Sequence, residues 1–205
     1  MTRTAEIERT TKETSITAKL NLDGRGEAKL DYPIGFMAHM LTAFAKHGLF
    51  DIEIKARGDL EVDQHHLVED TGILLGQCFT RALGERRGIR RVGGCLFPMD
   101  ETLARAAVDI SGRPFLVFEA DLSEVPLVSA SAQGAFSFQI DTVQDFWQGF
   151  VSSAGITLHL EILRGRSNHH KIEALFKAAA RALREACGID LSAPDLIPST
   201  KGVIV

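Results

Sequence analysis

Apolar and polar residues alternate over positions 15–22, which places Ile16, Ala18, Leu20 and Leu22 on one side of an extended chain. Asp23-Gly24 follows as a turn signal, so this segment and residues 27–32 are expected to form a hairpin. Beyond Pro33 the period changes: Phe36, Met37, Met40, Leu41 and Phe44 recur at helical spacing, with Gly48 as the expected stop. A strand over 50–56, a polar loop over 57–64 and a helix over 65–83, broken by Gly84 and Gly88, complete a first half.

The second half repeats this order, with strands at 105–110 and 115–119, a helix at 142–154, a strand at 156–163 and a helix at 169–187. The offset 169 − 65 = 104 carries His65 onto His169, Ala82 onto Ala186 and Gly84 onto Gly188, which points to an internal duplication. The expected organisation is a first half over 1–90, a second over 91–190 and a Pro-punctuated, irregular tail over 191–205. Hairpins ahead of helices predict an α+β fold of two similar βαβ-containing halves, with sheets covered on one face by paired helices. Neither Gly-x-Gly-x-x-Gly nor Gly-x-x-x-x-Gly-Lys-Ser/Thr occurs, which removes the common phosphate-loop readings.

Composition narrows the class further. The 205 residues are 45% hydrophobic and 24% charged, as in an ordinary globular protein with a packed core. A net charge of −4 and a pI near 6.0 give no reason to expect nucleic acid or an anionic membrane as partner. Cys78, Cys95 and Cys187 are scattered and odd in number, so buried, reduced thiols are expected rather than a disulfide framework or a thiolate zinc site. The first nineteen residues lack the apolar stretch of a signal peptide, and no later run is long enough to span a bilayer. The expected location is the cytoplasm or an organelle matrix.

The chemistry is concentrated in two doublets, His65-His66 with Glu69 and His169-His170 with Glu173, at matching helix starts. At about 100° per residue, the first His and the Glu four positions on lie within about 40° of each other, while the second His points about 100° away. Each doublet can therefore serve two different ions. Imidazole with carboxylate and no thiolate suits Mn, Fe, Co, Ni or Zn. One doublet alone would pass for solvated or core histidines; two copies in register argue for metal.

Four stretches, Phe36-Met37-Ala38-His39-Met40-Leu41, Asp63-Gln64-His65-His66-Leu67-Val68-Glu69-Asp70, Asn168-His169-His170-Lys171-Ile172-Glu173-Ala174 and Pro198-Ser199-Thr200-Lys201-Gly202, stand in an order that resembles the imidazoleglycerol-phosphate dehydratases. Pro98-Met99-Asp100-Glu101 and Arg181-Ala182-Leu183-Arg184 add to the resemblance, which covers nearly the whole chain. It implies a ribosomal protein S5 domain 2-like fold, trimers assembling into a 24-subunit homo-oligomer, and two Mn2+ ions per active site at subunit contacts. It also implies a lyase of histidine biosynthesis that dehydrates D-erythro-imidazole glycerol phosphate, whose imidazolate the metals bind.

Carried over by position, the family's metal ligands fall on His39, His65, His66, Glu69, His169, His170 and Glu173. An eighth falls on Asp145, where similar members often have His, so carboxylate replaces imidazole there; the alternative for Asp145 is a helix-start carboxylate favoured by the dipole. The resemblance places the substrate against Glu13, His39, His47, Arg91, Arg113, Ser199 and Lys201, and assigns catalysis to the carboxylates Glu13, Glu69 and Glu173. Read without it, His47 is a helix-end cap, the arginines are surface charges, the tail is a disordered end and His159 is structural. Two other functions use the same ligands: a dinuclear metallohydrolase acting on a phosphoester, and metal that only fastens subunits together.

Overall fold

Strands β1 (Thr4–Thr10) and β2 (Thr14–Asn21) form the first hairpin of the computed structural model, which describes residues 3–123, 127–131 and 134–204. The hairpin expected between residues 15–22 and 27–32 is absent. Strand β3 (Ala28–Asp31) instead runs parallel to β4 (Asp51–Gly58), and β4 lies between it and β2 in the order β1-β2-β4-β3. Asp51 explains the detour, because its Oδ1 accepts the backbone N–H of Arg25 at 2.7 Å and of Glu27 at 3.0 Å, which holds the loop at the start of β4.

Helix α1 (Gly35–Gly48) connects β3 to β4, and helix α2 (His65–Leu83) follows. Gly48 is the last helical residue, while Leu49 takes the left-handed cap at φ 52°. A Cβ on Gly48 would stand 2.4 Å from the Phe50 ring, so this glycine serves close packing rather than the turn.

The second half repeats the topology with β5 (Val92–Met99), β6 (Thr102–Asp109), β7 (Phe115–Glu119), an inserted hairpin of β8 (Leu127–Ser131) and β9 (Gly134–Phe138), α3 (Thr142–Ala154), β10 (Thr157–Arg164) and α4 (Asn168–Cys187). Its sheet order, β5-β6-β10-β7, is that of the first sheet with each strand replaced by its counterpart. This confirms the duplication.

Helix α2 covers the first sheet and α4 the second, while α1 packs on α4 and α2 on α3, so the helices of the two halves meet between the sheets. Aromatic side chains fill that space. Phe44 on α1 contacts Trp147 and Phe150 on α3, Phe79 on α2 contacts Phe150, and Trp147 lies 4.8 Å from Phe176 on α4, centroid to centroid. Burying each such ring stabilises the fold by about 1.5–3 kcal/mol, so neither half keeps its core without the other.

Helices α2 and α3 approach until their backbones touch. Gly72 and Gly76 on α2 face the carbonyls of Phe146 and Phe150, and Gly149 on α3 faces that of Glu69. Cys78 and Cys187 are buried as expected, and burial raises both thiols to about 11. Cys95 is only partly buried, a correction that follows from its place on β5, an edge strand. Among the described residues no helix is long and apolar enough to cross a membrane.

Candidate metal centre

The α1–α4 contact brings His39 to the doublet at the start of α4. His39 Nε2 lies 3.3 Å from Glu173 Oε2, and His169 Nε2 lies 3.1 Å from the same oxygen. All three donor atoms fall within 4.8 Å of one another. Around an ion with bonds of about 2.0–2.2 Å, neighbouring donors stand about 3 Å apart, so the cluster fits a divalent metal with little movement. Burial opposes ionisation of Glu173, but the hydrogen bond and charge of Lys177, with His39 adding to them, overcome it and hold the carboxyl below its usual range. Lys177 Nζ is 2.6 Å from Glu173 Oε1, leaving Oε2 to face the imidazoles. Beside the cluster opens a hollow of about 310 Å³ lined by Phe36, Phe138, Leu127 and Val128.

The α2–α3 contact is the pseudo-equivalent, with Asp145 where His39 stands in the other. His65 Nδ1 lies 3.1 Å from Asp145 Oδ2 and its Nε2 lies 3.8 Å from Glu69 Oε2. The ring therefore spans two carboxylates through its two nitrogens instead of aiming one nitrogen at both. Asp145 sits in the first turn of α3, so it has the dipole position and the proximity to His65 together.

The second histidine of each doublet turns away, as helical geometry requires. His66 Nδ1 meets Asp59 Oδ2 at 3.0 Å, and His170 Nδ1 meets Glu101 Oε2 at 2.8 Å. The Asp59 hydrogen bond raises the pKa of His66, with Glu13 adding a smaller effect.

Amide side chains fix both helix starts. Gln64 exchanges hydrogen bonds with Gln139, and Asn168 exchanges them with the Ser123 backbone, each one residue ahead of its doublet. Asp59 and Lys177 are not among the candidates read from the sequence, and Glu101 stands there only within Pro98-Met99-Asp100-Glu101, without a role. Lys177 was findable, since it lies four positions after Glu173 on one helical face. Asp59 lies seven residues before His66, in the loop between β4 and α2, whereas Glu101 reaches His170 only through tertiary folding.

Arg91, Arg113, Ser199 and Lys201 line one hollow of about 260 Å³. Arg91 is no lone surface charge: its Nε is 2.8 Å from Asp109, and its Nη1 donates to the Pro198 carbonyl at 2.8 Å, tying the tail to the second sheet. Glu13 lines a different hollow with Asp59 and Arg57. His47 packs edge-on to Phe97 at 5.2 Å; burial, with Lys177 and Arg181 nearby, lowers its pKa and keeps it neutral at pH 7. His159 is exposed on β10.

A family model for imidazoleglycerol-phosphate dehydratase matches residues 32–183, a span that holds both doublets, His39 and Asp145. The chain belongs to the imidazoleglycerol-phosphate dehydratase family. Dehydratases of that name from Lacticaseibacillus casei and Pseudomonas fluorescens are 52% and 48% identical to it, over 98% of this chain and 100% and 98% of theirs. The crystal structure of imidazoleglycerol-phosphate dehydratase from Staphylococcus aureus superposes with a TM-score of 0.78 at 35% identity, covering 91% of this chain and 99% of that one. That from Pyrococcus furiosus gives 0.77 at 33%, covering 96% and 99%. Membership in the imidazoleglycerol-phosphate dehydratase family makes the chain a hydro-lyase of histidine biosynthesis.

Proposed function

We propose that this chain dehydrates D-erythro-imidazole glycerol phosphate to imidazole acetol phosphate in the cytoplasm, with two manganese ions per active site facing the substrate's imidazolate. The observation that carries the reading is the convergence of His39, His169 and Glu173 beside an open hollow. Their imidazole and carboxylate donors suit manganese. When bound, the ions supply Lewis-acid stabilisation of charge on the substrate ring as water departs.

The remaining work falls to the chain's own groups. Arg91, Arg113, Ser199 and Lys201 grip the phosphate and convert binding energy into alignment, a task suited to the guanidinium fork. Neutral His47 lines the substrate's path. Glu13 removes the proton from the glycerol carbon, and its exposed position on the β1–β2 turn beside His66 supports that role. Glu69 and Glu173 act as the carboxylates of the metal positions.

The complete site forms between copies, in trimers that assemble into a 24-subunit shell. Two observations support this: His66 and His170 face away from their own chain's clusters, and the hollows of Glu13 and of the phosphate-binding set share no lining residue.

An assay on imidazole glycerol phosphate with added Mn2+ tests the reading. The expected outcome is an organic product that retains its phosphate, whereas released inorganic phosphate would mean a hydrolase. In the same assay Glu13→Gln is expected to keep its manganese and to lose about 10²–10⁴-fold in kcat, the usual contribution of a positioned base. Full turnover by a folded, metal-loaded Glu13→Gln protein would remove Glu13 from the reaction.

A further inference from the structure

Glu13 and Glu101 stand at equivalent places in the two halves, each immediately before the first residue of the equivalent strands β2 and β6. Their surroundings differ. Among the described residues no hydrogen bond to the Glu13 carboxylate is found, because His66 takes its acceptor from Asp59 instead. The Glu101 carboxylate is engaged at both oxygens: Oε1 accepts the backbone N–H of Ser167 at 3.0 Å and of Arg166 at 3.3 Å, and Oε2 faces His170 Nδ1 at 2.8 Å.

We infer that Glu101 is a positioning residue that fixes the ring and tautomer of His170, and that the duplicated glutamate Glu13 is left free for proton transfer because Asp59 does this work in the first half. The step is forced by donor and acceptor chemistry. An ionised carboxylate only accepts, so Nδ1 must carry a proton, and the neutral ring that a metal requires then keeps its lone pair on Nε2. The two backbone donors hold Oε1 in place, which leaves Oε2 aimed at the ring.

The inference rests on His170 being a metal ligand, as proposed above, and makes a prediction that a merely structural role does not. In Glu101→Gln the two backbone N–H groups keep the amide oxygen where Oε1 was, so the amide nitrogen faces Nδ1. Nδ1 must then accept, and the proton moves to Nε2. In Glu101→Ala the loop loses its acceptor, but water can take the proton of Nδ1. The conservative substitution is therefore the more damaging to metal binding, while the drastic one is the more damaging to the fold.

The experiment titrates chelator-treated wild-type, Glu101→Gln, Glu101→Ala and Glu13→Gln proteins with Mn2+ alone, following the electron paramagnetic resonance signal of free Mn2+. Glu101→Gln is expected to weaken Mn2+ binding by about 10–100-fold. Glu101→Ala weakens it less, and Glu13→Gln leaves it unchanged. Thermal melting of the metal-free proteins ranks the two Glu101 variants the other way. In metal-free protein, ring 15N chemical shifts of His170 are expected to show Nδ1–H in wild type and Nε2–H in Glu101→Gln. Wild-type protein that takes up no Mn2+ would sink the metal reading itself. Wild-type uptake with equal affinity in Glu101→Gln, weaker binding by Glu101→Ala than by Glu101→Gln, or an unchanged tautomer would overturn this inference alone.

Discussion

Glu173→Gln is expected to empty the α1–α4 cluster of manganese and to lower turnover by about a thousandfold, equivalent to about 4 kcal/mol of lost transition-state stabilisation. Oε2 of Glu173 is the atom that both His39 and His169 face, at 3.3 and 3.1 Å, so the substitution removes the negative charge at the point of convergence. The replacement is isosteric, and its amide oxygen can still accept from Lys177. The protein should fold, with a modest loss of stability because a largely buried ammonium loses its counter-charge. Metal content by mass spectrometry and the initial rate are the readouts. A variant with wild-type metal content and rate would show that the cluster is an ordinary ion-pair network.

Gly72→Ala is expected to destabilise the metal-free protein by about 3 kcal/mol, at the upper end for overpacking, and to lower Tm by about 6–12 °C. A Cβ there would lie 2.2 Å from the Phe146 carbonyl oxygen, a backbone atom that can yield only if α2 and α3 separate. That separation would also draw His65 and Glu69 on α2 away from Asp145 on α3, so Mn2+ affinity should fall along with Tm. Gly35→Ala is the control, since nothing lies within 4 Å of its added Cβ. Its Tm should stay at or slightly above wild type. A Gly72→Ala protein that melts with wild type would mean that the helices are not held at backbone contact.

The helices were legible because their signals are local: apolar residues at helical spacing, with a His doublet at each start of the two longest. The edge strands β1 and β5 were not, whereas β7, at the opposite edge of the second sheet, is the strand expected at 115–119. β1 carries only Ala5 and Ile7 as apolar residues between charges, and β5 begins Val92-Gly93-Gly94 and contains Pro98, a composition tolerated at a sheet edge but resembling a loop. The β3 pairing was misread because Asp23-Gly24 signals a hairpin locally, whereas the parallel partner β4 arrives only after α1.

The candidate site divides along the same line. Spacing within one helix placed His169 with Glu173 and turned His170 aside. The meeting of His39 with Glu173 depends on how α1 packs on α4, and the acceptors of His66 and His170 come from a loop and a strand turn. No spacing rule connects those.

Counting manganese bound per chain, in protein stripped by chelator and then dialysed against Mn2+, tests the account most directly. Two ions per chain are predicted, one for each helix-pair cluster, with loss of one when His169 is replaced by Ala. No uptake, or uptake indifferent to that substitution, would contradict it.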